Sequence, residues 1–114
     1  MKRRAVDPID READPLEQLC AALLALDDRA SMRAFLQDLC TPAELEAMAD
    51  RWRVVPLLLD QVPYREIHER TAVSVTTIGR VARSLVEGRG YRAAAAGLGL
   101  ALDALPADDG LPAR

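Results

Sequence analysis

The sequence predicts an all-α protein. Half of its 114 residues are apolar, and the abundant alanine, leucine and arginine favour helices. Apolar residues recur at spacings of three and four, and no stretch alternates for long enough to indicate a sheet. The length suits one domain with a small core. We therefore expect about six helices in one domain over residues 14–105, with mobile tails at 1–13 and 106–114.

The first half of the chain predicts three helices. An apolar stripe predicts a helix over residues 15–27, and Ser31 is expected to cap a second, short helix. The clearest local signal is Thr41-Pro42-Ala43-Glu44, a capping box with proline at the first helical position. A third helix should run from there to about Asp60, with a kink at Pro56.

The second half predicts three further helices separated by short breaks: 64–71, 75–87 and 91–104. Ser74 is the expected cap of the helix over 75–87, and the glycines that flank Arg89 should end it. The inward side chains of that helix are expected to be Val75, Ile78, Ala82 and Leu85. Its outward side is expected to carry Thr76, Thr77, Gly79, Arg80 and Arg83.

The helices over 64–71 and 75–87 form a helix-turn-helix pattern. In such a pair the second helix enters the major groove of DNA, so small polar residues and arginines must point outward. The methyl groups of Thr76 and Thr77 can meet a thymine methyl. Gly79 costs about 1 kcal/mol in helix propensity, and a crowded contact surface is one reason to tolerate it.

The distribution of charge agrees with a local DNA-binding surface. The chain has a net charge of −3, yet residues 64–92 carry six arginines against three glutamates and have a net charge of +3. Residues 1–63 and 93–114 are both net acidic. The positive charge is thus confined to the segment with the helix-turn-helix pattern, as a phosphate-binding surface requires.

The expected DNA contacts come from the outward residues of the two helices. We expect phosphate contacts from Arg65, Arg80 and Arg83, with Arg89 and Arg92 as further candidates. His68 is the only histidine; a DNA contact and a surface position without a role are both open for it. The full set of expected DNA-binding residues is Tyr64, Arg65, His68, Ser74, Val75, Thr76, Thr77, Gly79, Arg80 and Arg83.

Other classes of function have little support in the residues. Cys20 and Cys40 lack the spacing and partners of a metal site and are expected to be small buried hydrophobes. A lone histidine holds no metal, and no catalytic residues or cofactor site are expected. No secretory or membrane-spanning stretch is present, so we expect a soluble cytoplasmic protein.

Three stretches of the sequence together resemble the Trp repressor superfamily, and within it the YerC/YecD type. They are 39–51, 64–67 and 73–81, inside a tract from Phe35 to Tyr91. The resemblance implies a six-helix protomer in an intertwined homodimer that binds a palindromic operator. It also implies a transcriptional regulator, which we expect to be a repressor that occludes a promoter.

The same resemblance implies a site for an amino-acid-like effector. Two arginines that hold the corepressor in Trp repressor correspond to Arg51 and Arg80, and the accompanying threonine and serine correspond to Thr41 and Ser84. Val81 and Ala72 depart from the pattern, because both stand where that family has glycine. Val81 could fill the slot of an indole ring, and Ala72 would cost about 1 kcal/mol at a positive φ.

Two alternatives stay open on the sequence alone. One is a small all-α dimeric enzyme that binds an anionic metabolite between Arg51 and Arg80, although no catalytic set accompanies them. The other is a helical adaptor whose basic helix pair contacts a protein partner.

Overall fold

The computed structural model describes residues 14–103, and within that range it contains six α-helices and no strand. The helices are α1 Pro15–Leu24, α2 Arg29–Leu39, α3 Pro42–Leu59, α4 Tyr64–Thr71, α5 Val75–Glu87 and α6 Gly90–Gly97. The all-α class and the number of helices are confirmed. The predicted tails at 1–13 and 106–114 lie outside the described residues.

The chain divides between Pro42 and Ala43 into two compact units. The first contains α1 and α2, and neither helix has a buried residue. Cys20, predicted to be buried, is exposed in this single chain. The prediction of one domain over residues 14–105 stays a prediction, and the two units are described separately.

Aspartates start both helices of the first unit. Asp14 accepts a hydrogen bond from the backbone N–H of Glu17 at 2.7 Å, and α1 ends at Leu24, three residues earlier than predicted. Asp28, rather than the predicted Ser31, caps α2, because the Ser31 N–H donates to its carboxylate at 2.7 Å. This hydrogen bond lowers the pKa of Asp28 below its ordinary value. Serine and aspartate are comparable caps, so the sequence does not distinguish them.

The second unit holds the buried core. Helices α3, α4, α5 and α6 and the α4–α5 turn all contribute to it, through Val54, Val55, Leu59, Ile67, Val73, Ile78, Val81, Leu85 and Ala95. Trp52 packs against this core and lies 6.4 Å from Tyr91, measured between ring centroids. Burial of these apolar side chains fixes α4 and α5 against the rest of the unit.

Two helix boundaries of this unit are informative. The start of α3 at Pro42 agrees with the prediction, and the helix continues through Pro56 to Leu59; the kink stays a prediction. Helix α6 was predicted to reach residue 104, but it ends at Gly97. Gly99 follows with φ of 79°, a conformation that ends a helix at little cost only for glycine.

Candidate nucleic-acid interface

The turn between α4 and α5 is held by side-chain hydrogen bonds. The Thr71 hydroxyl is buried; it donates to the carbonyl of Ile67 at 2.7 Å and accepts from the N–H of Val73 at 3.1 Å. Ala72 is left-handed, with φ of 66°, and its N–H donates to the carbonyl of His68 at 2.8 Å. The conformation that glycine would adopt most easily is therefore imposed on an alanine.

His68 adds a further bond across this turn. Its Nδ1 lies 2.7 Å from the carbonyl oxygen of Val73, while its side chain stays on the exposed surface of α4. A carbonyl oxygen can only accept, so Nδ1 carries the hydrogen. His68 therefore links the last part of α4 to the segment that leads into α5.

Helix α5 separates a buried side from an exposed one. Ile78, Val81 and Leu85 are almost fully buried in the core. Val75 was predicted to point inward, but it is 50% exposed, because it stands at the first turn, before the helix reaches the core. Val81 is buried in the core of the single chain. From the sequence, its side chain was a candidate to fill the slot that an indole ring occupies in Trp repressor.

The start of α5 is capped as predicted. The Ser74 side-chain oxygen accepts from the N–H of Thr77 at 3.1 Å, and its hydroxyl hydrogen-bonds the Thr77 hydroxyl at 3.0 Å. The two hydroxyl groups are thus engaged with each other. Thr76 and Val75, by contrast, present exposed side chains at the same end of the helix.

An open concavity of about 340 Å³ lies between the start of α4 and the outward side of α5. It is lined by Tyr64, Thr76, Gly79, Arg80, Ala82 and Arg83. All of these residues except Ala82 belong to the expected DNA-binding set. From the sequence, Ala82 was missed because it was assigned to the inward side of α5. The structure therefore brings an aromatic ring, two guanidinium groups and a hydroxyl to one surface.

The arginines of the helix pair differ in what holds them. Arg65 and Arg80 are exposed and have no ion-pair or hydrogen-bond partner among residues 14–103. Arg83 makes only a long contact with Glu87, at 3.9 Å, whereas Arg70 is paired with Glu66 at 2.8 Å. Arg65, Arg80 and Arg83 are thus the cations best placed to receive an anion.

Arg92, a further phosphate candidate of the sequence, has a different role in the structure. Its Nε and NH2 groups donate to the carbonyl oxygens of Leu85 and Val86, each at 2.9 Å. These carbonyls lie at the end of α5, where backbone oxygens lack helical partners. The half-buried guanidinium group of Arg92 therefore caps the end of α5 from α6.

The residues of the implied effector site belong to both units. Arg51, Arg80 and Ser84 are exposed residues of the second unit, and Thr41 belongs to the first. Arg80 lines the concavity beside Tyr64, whereas Ser84 lines a separate one of about 330 Å³ with Gly88, Gly90 and Tyr91.

Two short helices joined by a hydrogen-bonded three-residue turn, with a capped second helix that presents exposed arginines, define a helix-turn-helix protein. The sequence model described as Trp repressor protein matches residues 14–95. The chain therefore belongs to the Trp repressor family, a family of DNA-binding regulators, as the resemblance predicted. Within residues 14–103, no helix is long and apolar enough to span a membrane.

Individual relatives agree with this assignment. The uncharacterized protein YerC of Bacillus subtilis is 37% identical over 70 residues, which cover 61% of this chain and 67% of the relative. The structure of a TrpR-like protein from Eubacterium eligens has a TM-score of 0.71 at 34% identity, and covers 84% of this chain and 96% of its own. A candidate Trp repressor from Staphylococcus aureus has a TM-score of 0.72 at 26% identity, over 85% and 98% of the two chains.

Proposed function

We propose that the protein is a homodimeric, sequence-specific regulator that represses transcription by occluding a promoter. The observation that carries the proposal is the surface of α4 and α5, where Arg65 and Arg80 have no ion-pair partner within residues 14–103 and Arg83 makes only a long contact with Glu87. Phosphates of duplex DNA are the multivalent anions that such a surface fits. The buried side chains of Ile67 and Ile78 anchor α4 and α5 to the core, so the surface that these helices form is preorganised.

Specificity requires that base edges be read at the start of α5. Thr76 and Gly79 have short side chains, which lets the helix approach the floor of the major groove. His68 lies on the preceding helix, next to the same turn. The arginines then fix the register on the backbone, and the helix start supplies the selectivity.

The first unit supports the proposed dimer. Neither of its helices buries a residue in the single chain, and Leu16, Leu24 and Leu39 are all at least half exposed. Apolar surface of this kind is stabilised by association with a second copy. Two copies of the α4–α5 helix pair, related by two-fold symmetry, would bind a palindromic operator.

The test is the salt dependence of DNA affinity. Binding-site selection from random genomic duplexes should retain a palindromic sequence. On that duplex, Arg80→Ala and Arg83→Ala should each reduce the slope of log affinity against log salt by about 0.9, one released counterion per lost phosphate contact. Arg70→Ala is the matched control, because it removes the same charge from an arginine already paired with Glu66.

The outcome that contradicts the proposal is equally specific. If no duplex is retained at moderate salt, or if Arg80→Ala and Arg83→Ala both keep the wild-type slope, the surface does not bind DNA. A protein recovered reproducibly on the same surface would then favour the adaptor. Turnover of a carboxylate metabolite that is lost in Arg51→Ala would favour the enzyme.

Control by an amino-acid-like effector is a separate part of the proposal. It rests on the correspondence of Thr41, Arg51, Arg80 and Ser84 with the corepressor site of the family. Val81 is buried in the core and stands where the family has glycine beside the ring, so tryptophan is a poor candidate. Calorimetric titration of the free dimer with each common amino acid, repeated with Arg51→Ala, tests it; heat that is equal in both proteins would remove Arg51 from the site.

A further inference from the structure

An apolar side chain stands at the tip of an otherwise polar and cationic surface. Val75 is the first residue of α5, and half of its side chain is exposed. An isolated exposed valine is ordinary on a protein surface. This one is flanked by the DNA-facing residues, at the end of the helix that must approach the base edges.

The hydroxyl groups beside Val75 are partly withdrawn from recognition. Ser74 and Thr77 bond each other, through the cap bond at 3.1 Å and the hydroxyl pair at 3.0 Å. Breaking this cap to free a hydroxyl for a base would expose an unpaired N–H at the helix start. Ser74 is committed to the cap and Thr77 is half-buried, which leaves Val75 and Thr76 as the exposed side chains at this end of α5 that take no part in the cap.

We propose that Val75 recognises the C5 methyl group of a thymine. This inference rests on the proposed function and names the chemical group that the start of α5 reads. The thymine methyl is the apolar group that base pairs present in the major groove, and it is the complement of an exposed isopropyl group. A second copy of the chain is a poor occupant, because two faces of the +3 segment would repel each other.

The test is a methyl-deletion cycle on the selected duplex. Each thymine is replaced singly by uracil, which removes only the methyl group. We expect one substitution per half-site to weaken binding of the wild-type protein about threefold to fourfold, the value of one buried methyl-sized group. Val75→Ala should bind the thymine and uracil duplexes equally at that position, so that the two deletions are not additive.

Thr76→Ser is the matched control. It removes a methyl group from the neighbouring residue and keeps the hydroxyl, and it should retain the full uracil penalty at the thymine read by Val75. Both substitutions lie on the exposed surface, and alanine has the higher helix propensity, so Val75→Ala is expected to fold. Circular dichroism of each variant verifies this.

The outcomes separate the two proposals. If a duplex is selected but no thymine-to-uracil change weakens binding, or if Val75→Ala keeps the same penalty, the inference is wrong while the DNA-binding function stands. The inference is also wrong if Thr76→Ser alone abolishes the penalty. If no duplex is selected at all, the proposed function fails and the inference fails with it.

Discussion

The Nδ1 atom of His68 and the carbonyl oxygen of Val73 are 2.7 Å apart and close the turn between α4 and α5. Since the carbonyl can only accept, the hydrogen of a neutral ring must reside on Nδ1. Nε2 is then an acceptor, able to receive a hydrogen bond from an amino group of adenine or cytosine. One residue thus supports the turn and carries a polar group on the exposed side of α4.

The tautomer of His68 is directly measurable. Because it is the only histidine, a long-range ¹H–¹⁵N spectrum at pH 8 should contain one imidazole, with the hydrogen on Nδ1. His68→Leu removes the donor and should lower the free energy of unfolding by about 1 kcal/mol. His68→Asn places an amide donor near the position of Nδ1 and should lose less. Equal losses in the two variants would show that the bond does not stabilise the turn.

We predict that the glycine at position 79 serves contact with DNA and not the stability of the fold. A Cβ built on Gly79 meets nothing within 4 Å, so Gly79→Ala should fold and gain up to about 1 kcal/mol from helix propensity. That gain corresponds to a rise in Tm of roughly 4–8 °C for a domain of this size. DNA affinity should fall at the same time, since the added methyl group lies on the surface that we propose to approach the major groove.

Gly97→Ala is the control for this trade-off. A Cβ at Gly97 also meets nothing within 4 Å, but the residue is the last of α6 and does not line the concavity between α4 and α5. It should leave DNA affinity unchanged. A Gly79→Ala protein that binds the operator as tightly as wild type would remove Gly79 from the interface.

The elements that the sequence predicted best are those with purely local causes. Helices α4 and α5 begin and end at the predicted residues, because a short break, a serine cap and a glycine stop are all encoded within a few residues. The end of α6 was misplaced because alanine-rich periodicity continues past Gly97 and only the positive φ of Gly99 stops the helix.

The side-chain environment was harder to predict, since it depends on distant packing. Helical periodicity assigns Val75 and Ile78 to one side of α5, yet only Ile78 reaches the core. Arg92 and Arg83 look equivalent as exposed arginines in the sequence, and only the fold of α6 back to the end of α5 separates them. The predicted DNA-binding set itself stays a prediction.

Replacement of Ala72 by glycine should make the protein more stable. Its φ of 66° costs an L-residue about 1–2 kcal/mol, whereas glycine adds roughly 0.4–1 kcal/mol of chain entropy to the unfolded state. Ala72→Gly should therefore raise the free energy of unfolding by roughly 0.5–1 kcal/mol in urea denaturation. Ala47→Gly, at an exposed position inside α3, should instead lower it by about 1 kcal/mol. A loss in both variants would contradict the strained turn.

We expect Arg92→Ala to affect the stability of the protein and Arg83→Ala to affect its DNA binding. Arg92 donates to two carbonyl oxygens at the end of α5, both at 2.9 Å, and its charge is favourable at a helix C-terminus. Arg92→Ala should therefore lower the free energy of unfolding by about 2 kcal/mol. At temperatures where the variant is folded, the salt slope of its DNA affinity should be unchanged. Arg83→Ala should instead leave the free energy of unfolding unchanged and reduce the salt slope, because the Arg83 side chain is 65% exposed and its contact with Glu87 is long.

Urea denaturation and salt-dependent DNA binding, measured on the same preparations of Arg92→Ala and Arg83→Ala, give the free energy of unfolding and the salt slope. A reduced salt slope in folded Arg92→Ala would mean that this arginine also contacts a phosphate, and its role as a cap alone would be wrong.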